Sequence, residues 1–332
     1  MLPTRKPKPS NKKEFDLPSR DAGQLRLCPF GAFSRHKTLK PSRLISDDLG
    51  VTILEHVESK DLPLAFVELP PFPAVAIKAL RVMARSDSRL RELHDLIRAD
   101  QAFSAEILRL VNSPLFPFRT AITNTLQATM LLGFERVQSL AVTIGIRAFL
   151  RDSLEIPALR ACWRHSVASA IIAEQLSRII VADKDTLYTA GIMHDIGRLA
   201  LAVCRRHDYA EFLRNTSLEP CDVLAREREL FGIDHCEAGK IVVSAWNLPA
   251  DFGLIAARHH QPVQGNFDVL SVIHLSCALA DTLGYRVAHA LHSPSYSELR
   301  NQLPEAHRNE LPDDPADLIA KIDAQVQVLE HP

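Results

Sequence analysis

From residue 62 to about 290 the apolar residues return at the three- and four-residue spacing of an α-helix, and that period constrains the fold more than any other feature. In SRLRELHDLIRAD, Leu90, Leu93 and Ile97 fall at i, i+3 and i+7. In FSAEILRLVNSP, Phe103, Ile107, Leu110 and Val111 form one stripe, which Asn112-Ser113-Pro114 ends. TLQATMLLGFERVQSLAVTIGIRAFL reads as two helices broken at Gly133, and Ala168, Ile172, Leu176 and Ile179 stripe the helix after WRHS. The prolines of LPLAFVELPPFP set an extended lead-in to the first helix. Runs of alternating β-branched residues are short, and neither an internal repeat nor a Gly-rich phosphate loop occurs. The chain is therefore expected to be all-α. Short connections make consecutive helices spatial neighbours, in two packed helical subdomains over 62–150 and 156–290.

The two ends differ from this body. Up to Arg43 the chain carries eleven Lys or Arg against three acids, with several prolines, so residues 1–45 read as a disordered basic tail. Residues 293–332 are polar and Pro-bearing, with one weak helix near 315–329, and read as a peripheral tail. The net charge of −1 gives no whole-molecule attraction to nucleic acid or membranes. No apolar run approaches the roughly 20 residues needed to span a bilayer, and the polar N-terminus lacks the apolar core of a signal peptide. The six cysteines form no CxxC pair and read as reduced thiols of a cytoplasmic protein.

Chemistry concentrates in the second half. TAGIMHDIGRLAL places His194 and Asp195 side by side near the end of an apolar run, where a core helix would carry apolar side chains. His165, His235, His259, His260 and Asp281 also lie on or beside expected helices. Any one of these histidines alone would read as a hydrogen-bonded core residue. As a group, imidazoles with carboxylates suit a divalent transition metal such as Fe, Mn or Zn, and helices can aim such ligands inward together. Other features take a structural reading. RERELF (226–231) reads as the solvated face of an amphipathic helix, Trp163 and Trp246 as core anchors, and Asn112-Ser113 as a helix-end cap.

The order WRHS, HDIG, DHCEAG, ARHH and ALAD resembles the HD superfamily of metal-dependent phosphohydrolases. ELPPFPAVAIKAL, LIRADQAFSAEILRLVNSPLF and ITNTLQATMLLGFERVQSLAV resemble the N-terminal half of a more specific relative, the HDOD domain, an HD-related output domain of bacterial signalling proteins. Together the likeness covers about 62–290. It implies an all-helical fold whose second subdomain is an HD-type bundle, and a role in signal transduction. His165 resembles the first histidine of the HD set, His194-Asp195 the namesake pair, His235 the next histidine and His259-His260 the double histidine. In HLSCALADTLG the family register puts Cys277 at the last aspartate position, and Asp281 one turn later. Arg198 stands where active relatives often carry Lys. No GYP signature follows ARHHQPVQGNF, which argues against cyclic-di-GMP as a substrate.

The first reading is a regulatory module that passes a state to a signalling protein partner. A metal is optional in it, and no robust catalysis is expected. The second is a metal-dependent phosphohydrolase acting on a nucleotide or phosphate ligand. There His165, His194, Asp195, His235 and His260 would hold one or two ions, Asp281 would complete the set and Arg198 would contact the phosphate. The third, a nucleic-acid or membrane-surface role for the basic arm, is the least favoured, because no aromatic–basic interleaving supports it.

Overall fold

In the computed structural model, residues 69–82, 89–180, 182–261 and 267–330 are described. The basic segment 1–45 lies outside them. Leu69–Pro73 is non-helical, as its prolines require, and α1 (Ala74–Val82) begins directly after it. Next come α2 (Arg89–Ala99), α3 (Gln101–Val111), α4 (Thr125–Leu132) and α5 (Phe134–Phe149). Gly133 separates α4 from α5 with φ of 83°, a left-handed value that a residue with a Cβ adopts only with strain. Asp100 caps α3 by accepting from the Phe103 N–H, and Asn124 caps α4 by accepting from Gln127. Asn112 and Ser113 act at the end of α3. Asn112 accepts from the Ile122 N–H and donates to the Leu108 and Ile122 carbonyls, and Ser113 donates to the Leu110 carbonyl.

The rest of the chain forms α6 (Pro157–Gln175), α7 (Lys184–Met193), α8 (Ile196–Cys204), α9 (Arg206–Leu218), α10 (Val223–Phe231), α11 (His235–Ala245), α12 (Ala250–Arg258) and α13 (Val269–Ala280). Two more helices close it, α14 (Tyr296–Asn301) and α15 (Ala316–Glu330). Asp183, Asp222, Asp234 and Asp268 cap α7, α10, α11 and α13 through their carboxylates. Among the described residues there is no strand, only an isolated bridge between Cys221 and Ala290. No helix among the described residues is long and apolar enough to cross a membrane.

α6 and α7 pack along each other, α13 lies on α6, and α11 is held between α8 and α12. α1 packs on α5, and α5 reaches α7. Trp246, after α11, stacks on Phe72 at 4.6 Å and meets Phe149 edge-on at 5.1 Å, so the expected anchor joins the first helices to the later ones. Trp163 is also fully buried, and its Nε1–H has no protein acceptor. The expected peripheral tail, 293–332, is not peripheral over its described residues 293–330. Leu299, Leu311, Ile322 and Val326 join the common apolar cluster, and Glu330 pairs with Arg164 through both carboxylate oxygens. In α15 the buried residues, Leu318, Ile322, Val326 and Leu329, recur every third or fourth position, while Asp317, Lys321 and Asp323 beside them are exposed.

Candidate metal centre

The HDIG stretch forms a corner. α7 stops at Met193, His194 is its C-cap residue, and Asp195 is the residue before α8. An aspartate at that position usually accepts from backbone N–H groups of the following turn. Asp195 makes no such bond, so its carboxylate is left to face the interior. Gly197 makes the corner fit. A Cβ there would come within 2.0 Å of the His235 carbonyl oxygen and 2.3 Å of the Gly239 nitrogen. α8 can therefore press directly on the start of α11, which brings His235 to Asp195.

Three buried atoms meet at this corner without hydrogen-bond partners: His194 Nε2, Asp195 Oδ1 and His259 Nε2. One donor atom from each residue lies within 4.8 Å of the other two. The tautomers are set from behind. His194 Nδ1–H donates to the Gly191 carbonyl at 2.6 Å, and His259 Nδ1–H donates to the Ala256 carbonyl at 2.9 Å. Each Nε2 therefore keeps its lone pair, the arrangement that orients a metal-binding histidine. Burial pushes the His194 pKa down to about 4 and the His259 pKa well below the usual imidazole value, so both stay neutral. Burial would raise the Asp195 pKa, but Arg198 and the surrounding imidazoles outweigh it and hold the carboxyl well below its usual range. Unsatisfied buried polar atoms cost about 1–3 kcal/mol each, and this donor set fits a divalent cation that would satisfy all three.

Arg198 lies beside the trio. Its Nε donates to Asp195 Oδ2 at 2.6 Å, and Nη1 reaches the Tyr209 hydroxyl at 3.3 Å and Glu227 Oε1 at 3.6 Å. Its Nη2 lies 3.1 Å from His235 Nε2. Glu227 comes from RERELF. That run is not a uniformly solvated face: Arg226 and Glu229 are exposed, while Glu227 is fully buried and accepts from Tyr209 at 2.6 Å and from His235 Nδ1 at 2.6 Å. His235 Nε2 meets His260 Nε2 at 2.9 Å. Burial and Arg198 lower the His235 pKa, but Glu227 and Asp195 raise it more, to about 10.

The fourth wall comes from α6 and α13. His165 Nε2 is 3.5 Å from Cys277 Sγ. On the other side of the ring, Nδ1 is 3.1 Å from the Tyr285 carbonyl and 3.2 Å from Asp281 Oδ1. Asp281 opens a π-turn, Asp281–Tyr285, that ends the helical run of α13. A cleft of about 490 Å³ opens above this floor. His165, Arg198, His235, His260, Cys277 and Asp281 line it, while His194, Asp195 and His259 lie sealed behind them. The segment around Val287–Gln302 forms its far side.

The family model of the HDOD domain matches residues 69–262. The chain belongs to the HDOD family. A crystal structure of an HDOD domain protein of unknown function from Geobacter sulfurreducens superposes with a TM-score of 0.61 at 23% identity, covering 79% of this chain and 91% of that one. A protein from Marinobacter aquaeolei VT8, provisionally named a signal transduction protein, gives 0.60 at 17% identity over 85% of this chain and 63% of that one. One from Shewanella amazonensis SB2B, provisionally named a phosphohydrolase, gives 0.58 at 18% identity over 81% and 97%. At these identities the likeness is one of fold. An uncharacterized curated protein of Treponema pallidum (strain Nichols) is 22% identical over 207 residues, covering 58% of this chain. The HDOD chain spans 38% of that relative's length.

Within the HDOD fold all seven expected ligands come to one region, but not to one shell. His194, Asp195 and His259 share the orphaned pocket. His235 and His260 pair on the cleft side. Asp281 reaches only the outer nitrogen of His165, and Cys277 takes the inner place that the family register assigns to aspartate. Glu227 and Tyr209 were not expected from the sequence. The one available signal for Glu227 was its position four residues before Phe231, on the inner face of α10. His274, whose Nδ1–H donates to the His259 carbonyl at 2.8 Å and which lines the cleft, was also not expected.

Proposed function

We propose that this HDOD chain is a regulatory module whose HD-type site holds one divalent ion at His194 and reads ligands through the cleft, without robust hydrolysis. The observation that carries this reading is the position of Arg198. Two-metal phosphoryl transfer needs two cations about 3.5–4 Å apart between shared carboxylate and imidazole ligands. Here a fixed guanidinium already occupies the side of Asp195 that faces His235 and Glu227. Displacing it would break its 2.6 Å hydrogen bond to Asp195 Oδ2 and move a buried guanidinium away from both of its carboxylates, a cost of several kcal/mol. His194 is common to two buried donor groups, with Asp195 and His259 on one side and His165 and Cys277 on the other, and would hold the ion, which would act as a Lewis acid toward an oxygen of an anionic ligand. Arg198 and His260 would meet that ligand from the cleft floor, so a phosphate or nucleotide suits it. The receiver of the signal would be a protein partner in the cytoplasm. α4 leaves Leu126, Met130 and Leu131 exposed, an apolar surface of the kind that meets another protein.

The test is the protein purified without chelators, its transition metal counted per chain, beside a His194→Ala/Asp195→Ala variant and a screen of nucleotides and phosphodiesters. About one metal per chain, lost in the variant, with no turnover, supports the reading. Turnover that depends on His194 and Asp195 would sink it in favour of the phosphohydrolase. That second reading draws its support from the orphaned trio, whose residues would hold an ion of the kind that activates water.

A further inference from the structure

His194 belongs to a second group of donors besides the one with Asp195 and His259. One donor atom from each of His165, His194 and Cys277 lies within 4.8 Å of the other two, and all three residues are buried. Donor atoms around a tetrahedral zinc ion sit about 3.3–3.8 Å apart, given bonds of about 2.0–2.3 Å. A small inward movement closes the group on an ion. Both imidazoles are already turned for it. His165 Nδ1–H faces Asp281 Oδ1 and the Tyr285 carbonyl, and His194 Nδ1–H donates to the Gly191 carbonyl, so each Nε2 keeps its lone pair for an ion, and that of His165 lies 3.5 Å from Cys277 Sγ. Asp281 thereby becomes the carboxylate behind a ligand rather than a ligand itself, the relation that raises imidazole basicity toward a metal.

We infer that Cys277 makes this a thiolate site selective for zinc, with His165 Nε2, His194 Nε2 and Cys277 Sγ as its ligands. The inference rests on the proposal that the site holds one ion at His194, and it names that ion. Sulfur is a soft ligand that favours zinc over manganese or magnesium, whereas the oxygen of an aspartate at the same place would favour the harder ions. Binding exchanges a proton for the metal: the Cys277 S–H bond breaks, the S–Zn bond forms with the same electron pair, and one proton leaves per chain. His165 and Cys277 line the cleft, so the fourth position of the ion opens to it. An anionic oxygen or a soft ligand entering the cleft would bind there. A closed structural zinc site offers no such position.

The test is the full chain stripped of metal and loaded with cobalt(II), whose thiolate complexes absorb in the near ultraviolet. Cys277→Ser is the diagnostic variant. Cys236→Ser, beside His235, is the thiol control. The expected result is a sulfur-to-cobalt band in the wild type and in Cys236→Ser, absent from Cys277→Ser, and displaced by zinc. Zinc affinity should fall by about tenfold or more in Cys277→Ser. Cobalt bound without that band, or a band that survives in Cys277→Ser, overturns the thiolate assignment and leaves the one-ion reading standing. Failure of the wild type to bind either ion overturns both. If Cys277→Ser does not fold, X-ray absorption of the zinc-loaded wild type decides instead. One sulfur at about 2.3 Å supports the assignment, and a shell of nitrogen and oxygen alone overturns it.

Discussion

Glu227 Oε2 holds His235 twice, accepting from its backbone N–H at 2.9 Å and from its Nδ1–H at 2.6 Å. A single carboxylate from α10 thus fixes both the start of α11 and the direction of the imidazole that α11 carries into the site. The same side chain neutralises Arg198 and receives the Tyr209 hydroxyl, so four buried polar groups depend on it.

Replacing Glu227 with Ala should therefore cost about 3–5 kcal/mol, because it leaves Arg198 short of a counter-charge in a dry interior. Glu227→Gln keeps the shape and should cost less, while loosening His235. Urea unfolding of both variants measures this. A loss below about 1 kcal/mol in Glu227→Ala would mean that Arg198 is satisfied by Asp195 alone.

Gly197→Ala should fail by contact. The added carbon would sit 2.0 Å from the His235 oxygen, and that neighbour is backbone. α8 would have to move off α11, at a cost of about 2–4 kcal/mol, and the distance between Asp195 and His235 would grow. The expected readout is a lower melting temperature together with weaker metal binding. Unchanged metal affinity would show that the corner tolerates the shift.

Acid should weaken the metal-free protein. Burial lowers the His194 pKa in the folded chain to about 4, against 6.5 unfolded. Between those values the unfolded chain binds more protons, so stability is lost as pH falls through that window. For His194 alone the loss from pH 7 to pH 5 is about 2 kcal/mol. His259 adds to the loss. His235, whose folded pKa is raised, works the other way and is most stabilising in acid. Denaturation at the two pH values, for wild type and His194→Gln in chelator, isolates the His194 share. Equal pH dependence in both proteins would contradict it.

Truncation after His292 should unfold the chain rather than trim it. It strips Leu299, Leu311, Ile322 and Val326 from the apolar cluster and leaves Arg164 without Glu330. Burying a large aliphatic side chain contributes about 1.5–3 kcal/mol, so four together match the whole stability of an ordinary domain. Circular dichroism of the truncated chain decides it, with retained cooperative melting as the contrary outcome.

Much of this was legible in the sequence. The stripe of Phe103, Ile107, Leu110 and Val111 announced α3, Gly133 announced the break before α5, and His194-Asp195 marked the corner where the buried donor atoms meet. Glu227 was not legible, because an acid within RERELF looks like its neighbours until the rotation of α10 against α11 is known. That rotation is set by packing far along the chain. Asp281 was misplaced for a related reason. It continues the helical path one turn beyond Cys277, and the packing of α13 on α6 sets its carboxylate against the outer nitrogen of His165 while Cys277 meets the inner one.

The cleft draws its floor and its far side from separate segments of the chain. His165, Arg198, His235 and His260 lie below, and the stretch before and through α14 stands opposite. Whatever fills that space bridges the two, and its binding energy adds directly to the work of separating them. The C-terminal helices are thus a latch whose hold is metered by occupancy. How readily a protease clips the end of the chain would report, without any assay of chemistry, whether the cleft is full.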